Sequence, residues 1–128
     1  MSTAIITAAP WLPAARLVEI LVDENIGGVP VVDDSGIPLG IVTRADVLEE
    51  EELEFDGEAT AAELMRRSPI TVGPDTLVWD AARVMTKHRI HHLLVVNDDV
   101  ELVGMLSSFD VVKWVAQEAE NGPLHHHG

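Results

Sequence analysis

Two seven-residue segments carry the side chains best suited to chemistry. They are Gly40-Ile41-Val42-Thr43-Arg44-Ala45-Asp46 and Gly104-Met105-Leu106-Ser107-Ser108-Phe109-Asp110. Both read glycine, two apolar residues, a hydroxyl residue, two variable positions and an aspartate. A hydroxyl followed three residues later by a carboxylate is, taken singly, a capping box in which both side chains satisfy free N–H groups at a helix start. The same corner also suits a ligand. The N–H groups and positive dipole end favour phosphate, and a carboxylate beside them can accept both hydroxyls of a ribose. One such segment reads as a cap, whereas two in register at the ends of equivalent strands favour a ligand site.

Other candidates are weaker. His88, His91 and His92 cluster, but they straddle a predicted helix end and strand start and have no obvious acidic partner. Surface or pocket histidines are expected there, and no metal site. Gly27-Gly28 either lets backbone approach a ligand closely or forms an ordinary turn. Thr7 and Thr71 lie at the ends of short strands, where β-propensity accounts for a threonine equally well. Trp11, Trp79 and Trp114 could stack on a base, although core or interface is the commoner place for such residues. No nucleophile motif, P-loop, dinucleotide-binding glycine fingerprint or zincin helix is present. Asp46 and Asp110 could form an acid–base pair on spacing alone, but capping and ribose binding already account for both, so no enzyme is expected.

The elements that position these segments come from an internal repeat. Ile6-Thr7-Ala8-Ala9-Pro10 is matched by Ile70-Thr71-Val72-Gly73-Pro74, an offset of 64 residues that also carries Ile26 onto Ile90, Val31-Val32 onto Val95-Val96, Gly40 onto Gly104 and Asp46 onto Asp110. Each copy reads strand, helix, strand, strand, helix. The first strands are Ile5 to Thr7 and Ile70 to Val72, and the first helices Ala14 to Glu24 and Leu77 to His88. Leu77, Ala81, Val84, Met85 and His88 form a helical stripe. Val29-Pro30-Val31-Val32 and Leu93-Leu94-Val95-Val96 are continuous apolar runs, as in strands buried on both faces. After turns at Asp33 to Gly36 and Asn97 to Asp99, Leu39 to Thr43 and Leu102 to Ser107 return as third strands. The last helices start near Thr43 and Ser107, the second with a stripe at Val112, Val115, Ala116 and Ala119. Residues 1–52 form the first copy, 53–63 an acidic linker, 64–121 the second copy, and 122–128 an expression tail whose histidines are set aside. A short helix, Ala61 to Met65, leads into the second copy. A unit of about 43 residues buries too little to stand alone, so the two copies should pack in one common core and leave clefts between them, where small ligands usually bind.

Composition narrows the partners. Eight Lys and Arg against 22 Asp and Glu give a net charge of −14, which repels nucleic acid and anionic membranes. A small anion is still admissible through local donors, since salt screens the distant field over about 10 Å. Cysteine is absent, which removes disulfide and thiol chemistry. With no leader and no apolar run long enough for a bilayer, a cytoplasmic protein is expected.

From Ile5 to about Val115 the chain resembles a pair of CBS domains, a Bateman-type module. The resemblance rests on the doubled segment ending in Asp46 and Asp110 and on the βαββα repeat. It implies an α+β fold of tandem CBS repeats packed with pseudo-twofold symmetry. It also implies a regulatory module sensing AMP, ADP, ATP or a related adenosyl ligand, without any other cofactor. By that resemblance Asp46 and Asp110 hold ribose, and Thr43 and Ser107 face ribose or phosphate. Arg44 meets phosphate, while Ser108 in its place brings no charge, so the clefts should differ in phosphate affinity. Adenine would be lined by Gly27, Gly28, Val29 and Pro30 in one copy and by His91, His92, Leu93 and Leu94 in the other, with Leu94 departing from the family's usual proline. Modules of this kind commonly pair into homodimers and report to a downstream protein, here unknown. The rival reading is a dimerisation platform without nucleotide sensing, using helix faces at Val47-Leu48 and Val111-Val112-Val115. A phosphotransfer or hydrolytic enzyme is a distant third.

Overall fold

A computed structural model describes residues 5–50 and 59–121, without the side chains of residues 48–50 and 121. The chain begins beside a first sheet, where Ala8 alone bridges Val31 in parallel. Helix α1 (Ala14–Asp23), strand β1 (Gly28–Val32), strand β2 (Pro38–Thr43) and helix α2 (Arg44–Glu50) complete the first copy. Next come helix α3 (Ala61–Leu64) and strand β3 (Arg66–Arg67). The second copy runs through β4 (Thr71–Val72), α4 (Val78–His88), β5 (His92–Val96), β6 (Leu102–Ser107) and α5 (Ser108–Asn121). The architecture is α+β: two three-stranded sheets, β1-β2-β3 and β4-β5-β6, with helices packed against them.

The repeat is visible in the hydrogen bonds themselves. Gly28 pairs with Thr43 and Val31 with Gly40, as His92 pairs with Ser107 and Val95 with Gly104. Both ladders slip at the same place, between Val31 and Val32 and between Val95 and Val96. Arg44 N–H donates to Gly27 O at 3.0 Å, and Ser108 N–H to His91 O at 2.8 Å. The residues after the first helices, Asn25 and Arg89, both take left-handed backbone, with φ of 51° and 55°. That conformation reverses the chain and aims it into the next strand.

Burial follows period 3.6 in the helices. Ala14, Leu17 and Leu21 of α1, and Ala81 and Met85 of α4, turn inward. Leu77 and His88, expected on that stripe, are exposed at its two ends. In α5 the inward residue is Val111, while Val112 and Ala116 face outward, so the expected stripe is rotated by one position. Val29, Val31 and Val42 join Ala8, Leu17, Leu21 and Ala61 in one cluster, whereas Leu93 and Leu106 join Ala81 and Met85 in another. The expected common core is thus two cores, because each sheet turns one face to its own helices. Pro30 and Leu94, on the other face, are also fully buried. The first strand of copy one shrinks to Ala8, whose neighbours Ile5 and Ile6 leave the sheet to wall a cleft.

The segment after the acidic run packs backward. Ala61 is fully buried in the first core, its N–H donates to Leu12 O at 2.8 Å, and Ala14 N–H donates to Ala59 O at 2.8 Å. Strand β3 then adds to the edge of β2, Arg67 opposite Gly40 and Arg66 opposite Ile41. A β-carbon on Gly40 would lie 2.5 Å from Arg66 O and 2.7 Å from Met65 Sδ. Only glycine admits that approach. The expected linker span from 53 to 58 lies outside the described residues.

Candidate functional site

Two clefts open where the copies meet, of about 440 and about 450 Å³. The first is walled by Thr43, Arg44, Ala45, Arg66, Arg67 and Arg89, with Ile41, Ser68 to Ile70, Ile90 and Leu94. The second is walled by Ser107, Ser108, Phe109 and Asp110 from one copy and by Ile5, Ile6 and Asn25 to Gly28 from the other. Gly27, His91 and His92 belong to both. A β-carbon on Gly27 would meet His92 Nε2 at 3.0 Å, so glycine here lets the ring sit against backbone.

At both strand–helix corners the expected capping box is present. Asp46 Oδ2 accepts from Thr43 N–H at 3.0 Å and from Thr43 Oγ1 at 2.9 Å, and Asp46 N–H donates back to Thr43 Oγ1 at 3.3 Å. Asp110 Oδ2 accepts from Ser107 N–H and Ser107 Oγ, each at 2.9 Å, and Asp110 N–H donates to Ser107 Oγ at 3.1 Å. Each cap uses one carboxylate oxygen. The other oxygen separates the copies. Asp46 Oδ1 accepts from Arg66 Nε at 2.7 Å, and Asp46 is only 6% exposed. Asp110 Oδ1 takes no hydrogen bond among the described residues, and Asp110 lies on the wall of the second cleft. Asp46 itself does not line the first cleft; the guanidinium of Arg66 stands there above it.

The remaining expected residues divide likewise. Thr43, Arg44, Ser107, Ser108, Gly27, Gly28, His91 and His92 all line a cleft. Gly27 and Gly28 face Asp110 across the pseudo-symmetric junction, so the strand start of one copy serves the cleft of the other. Val29, Pro30 and Leu93 are fully buried and line neither cleft; the period of two turns Val29 and Leu93 into their cores. Leu94 lines the first. Thr7 and Thr71 are exposed on neither wall. Trp79 and Trp114 meet edge to face across α4 and α5, with centroids 5.4 Å apart, and no tryptophan reaches a cleft.

Sequence reasoning missed Arg66, Arg67, Arg89 and Phe109. Arg66 and Arg67 are neighbours in β3 but lie far in the chain from Arg89, and the three converge only through the pairing of β3 and the left-handed turn after α4. Phe109 was readable: it occupies a variable position of the second segment, where the first has Ala45, and it lines the second cleft at 68% exposure. Lys113 Nζ sits 5.6 Å from its ring centroid, within cation–π range.

Arg44 is held by Nε–H donating to Ile26 O at 2.9 Å and by Nη2–H donating to Asn25 Oδ1 at 2.8 Å. His91 Nδ1 lies 3.2 Å from Ser108 Oγ. Burial, and then the neighbouring His91, lower the pKa of His92 below its ordinary 6.5, with Asp110 partly opposing. His92 is therefore mainly neutral at pH 7, able to donate from one nitrogen and accept at the other. Among the described residues no three His, Asp or Glu form a group that could hold a metal ion, and no helix is long and apolar enough to cross a membrane.

Comparison with known proteins agrees with this geometry. A family model described as CBS domain matches residues 1–52 and 61–117. The chain is 32% identical over 107 residues to an inosine-5'-monophosphate dehydrogenase of Korarchaeum cryptofilum, covering 84% of this chain and 21% of that enzyme. It is 39% identical over 85 residues to the arabinose 5-phosphate isomerase KpsF of Escherichia coli, covering 66% of this chain and 26% of that enzyme. The chain thus spans about a quarter or less of these two relatives. Among solved structures, it is similar to the CBS domain pair of protein MJ0100 in complex with 5'-methylthioadenosine and S-adenosyl-L-methionine. The TM-score is 0.85 at 30% identity, covering 92% of this chain and 93% of that one. It is also similar to CBSX2 in complex with AMP, with TM-score 0.78 and 28% identity, covering 88% of each chain.

Proposed function

The chain belongs to the CBS domain family as a tandem pair, and from that premise we propose that it senses an adenosine-containing ligand in the clefts between its copies. The carrying observation is Asp110 Oδ1, which the cap leaves open on the wall of a cleft built from both copies. In this reading the carboxylate accepts the ribose hydroxyls, Phe109 and the Gly27-Gly28 backbone flank the base, and Ser107 and Ser108 supply hydroxyls. The ligands named for the two similar structures, AMP and the pair 5'-methylthioadenosine and S-adenosylmethionine, share the adenosyl group this arrangement suits. Binding biases the relative tilt of the copies by its differential affinity for the two arrangements, and a downstream protein reads the change. The role is regulatory and non-catalytic, in the cytoplasm, and needs no further cofactor. The matched enzymes carry their catalysis, in this reading, in the parts this chain does not span.

Calorimetry tests it, with AMP, ATP, S-adenosylmethionine and NAD titrated into wild type and Asp110→Asn. The asparagine keeps a cap acceptor but loses the charge, so affinity should fall roughly tenfold or more. A folded wild type that takes up none of these compounds rejects the reading.

A second reading, pairing into a homodimer, is favoured by the apolar side chains that α4 and α5 leave outside. Leu77, Trp79 and Val112 are exposed, and Val112 borders a hollow of about 390 Å³ between these helices. Of the faces expected from sequence, Val47 and Val111 instead pack on their own cores, and the side chain of Leu48 lies outside the described residues. Native mass spectrometry reports bound ligand and subunit number together.

A further inference from the structure

The junction between the copies joins unlike residues. The 64-residue offset sets Gly27-Gly28 of the first copy in the place of His91-His92 of the second, and Gly27, His91 and His92 line both clefts. The imidazole of His92 lies along both glycines. A β-carbon on Gly27 would meet its Nε2 at 3.0 Å and Cε1 at 3.3 Å, and one on Gly28 would meet Cδ2 at 3.6 Å. This ring is thus a partition between the two hollows and a contact between the copies. An aliphatic side chain would fill that space and respond to nothing, whereas imidazole changes charge near neutral pH.

The surroundings favour the neutral ring where it sits. Neither ring nitrogen of His92 takes a hydrogen bond among the described residues, whereas His91 Nδ1 lies 3.2 Å from Ser108 Oγ. The charged and titratable groups that share a cleft wall with it are His91 from the preceding position, Asp110 from α5, Arg44 from α2, Arg89 from the turn after α4, and Arg66 and Arg67 from β3. Arg66 is paired with Asp46. Asp110 is the one carboxylate on either wall. Burial and then His91 hold the ring's pKa below 6.5, with Asp110 partly opposing. A proton therefore binds better once the ring has left the glycines for water, and acid favours that position.

We propose that His92 is a proton-operated latch between the two copies. Neutral, its ring rests on Gly27-Gly28 and closes the junction; protonated, it leaves them for the carboxylate of Asp110. Acid thereby loosens the junction and occupies the oxygen that a ligand in the second cleft would use. That last consequence rests on the sensing reading, while the latch itself does not, so the two can fail separately.

Residual dipolar couplings, measured at about pH 5.5 and about pH 7.5, on either side of an ordinary histidine pKa, report the angle between the two sheets without any ligand. The angle should change with pH in the wild type and stay fixed in His92→Gln, which keeps every other histidine. An imidazole NMR titration of Gly27→Ala should place the His92 midpoint closer to 6.5 than in the wild type, because the new methyl moves the ring off its seat. The backbone of Gly27 lies outside the left-handed region and the methyl would meet no other side chain, so alanine is otherwise accommodated. Adenosine carries no charge across this range, and its affinity should fall on acidification by at most about tenfold per pH unit, the limit for one proton. In His92→Gln that slope should disappear.

An unchanged sheet angle in the wild type overturns the latch, as does an equal change in His92→Gln or an unmoved His92 midpoint in Gly27→Ala. If adenosine binds with the same affinity at both pH values, the latch falls and the sensing reading stands. If the angle follows His92 while no adenosyl compound binds at either pH, the sensing reading falls and the latch stands.

Discussion

The two copies use the same strand register, the same bulge and the same cap, yet one carboxylate ends under an arginine and the other on an open wall. The cap accounts for Oδ2 in both. The difference lies wholly in what approaches Oδ1, and in the first copy that is Arg66 of β3, which its own copy does not supply by repetition. A repeated backbone can therefore hold two unlike hollows when one added strand edge brings a different set of side chains to one of them.

The sharpest way to break this asymmetry is at Gly40. Gly40→Ala puts a methyl 2.5 Å from Arg66 O, backbone that can yield only by moving β3. A loss of about 2–3 kcal/mol is expected, read as a lower midpoint in urea. Next are the two aspartates. Asp110→Ala removes a cap, which typically costs about 1 kcal/mol. Asp46→Ala removes the equivalent cap and an ion pair whose acidic side is buried, and should cost roughly 1 kcal/mol more; Arg66 is largely exposed, so that pair is worth less than a buried one. Equal losses in matched denaturant titrations would remove the distinction drawn here.

Phe109 and Ala45 offer a test by exchange. Phe109→Ala should weaken adenosine by roughly tenfold, in line with about 1–3 kcal/mol for aromatic–base stacking.

Acid gives a smaller effect. Because the folded protein lowers the pKa of His92 below 6.5, the unfolded chain binds that proton first as pH falls. His92 thus contributes stability above about pH 6.5 that is lost on acidification, with a slope of at most about 1.4 kcal/mol per pH unit until the folded protein protonates too. Thermal melts of wild type and His92→Gln across that range should show the shallower pH dependence in the variant. The smallest change is at the hairpin tip. Gly36 and Val100 are counterparts, both with positive φ, 83° and 64°. Val100 is half exposed and carries a branched side chain where glycine is at ease, so Val100→Gly should stabilise by about 0.5–1 kcal/mol.

Much of this was legible in the chain because local rules and the repeat agreed. The apolar runs at Val29 and Leu93, the hydroxyl–aspartate corners and the matched prolines each specify a strand, a helix start or a turn, and the offset sets them in register. The corner at Asp110 could be read as a cap with a free oxygen. Its twin could not be told apart, since Arg66 is twenty residues away and reaches Asp46 only through the pairing of β3 with β2, a contact no local pattern encodes. The rotation of α5 by one position has a similar origin: Val111 and Val112 are equally apolar, and packing alone selects which turns inward. Whether the copies share a core or keep two depended on which sheet face the helices cover, and continuous apolar strands leave both options open.

The placement of α3 and β3 bears on how the molecule is made. During synthesis, residues emerge in order, and domains tend to fold as they become available. The first sheet cannot gain its third strand, nor Asp46 its guanidinium partner, until Arg67 has left the ribosome, well beyond the acidic stretch. A fragment ending at residue 52 would carry every strand of the first copy's own repeat and still lack Ala61 from its interior. The first copy must therefore wait for the short segment that follows the acidic run to close it.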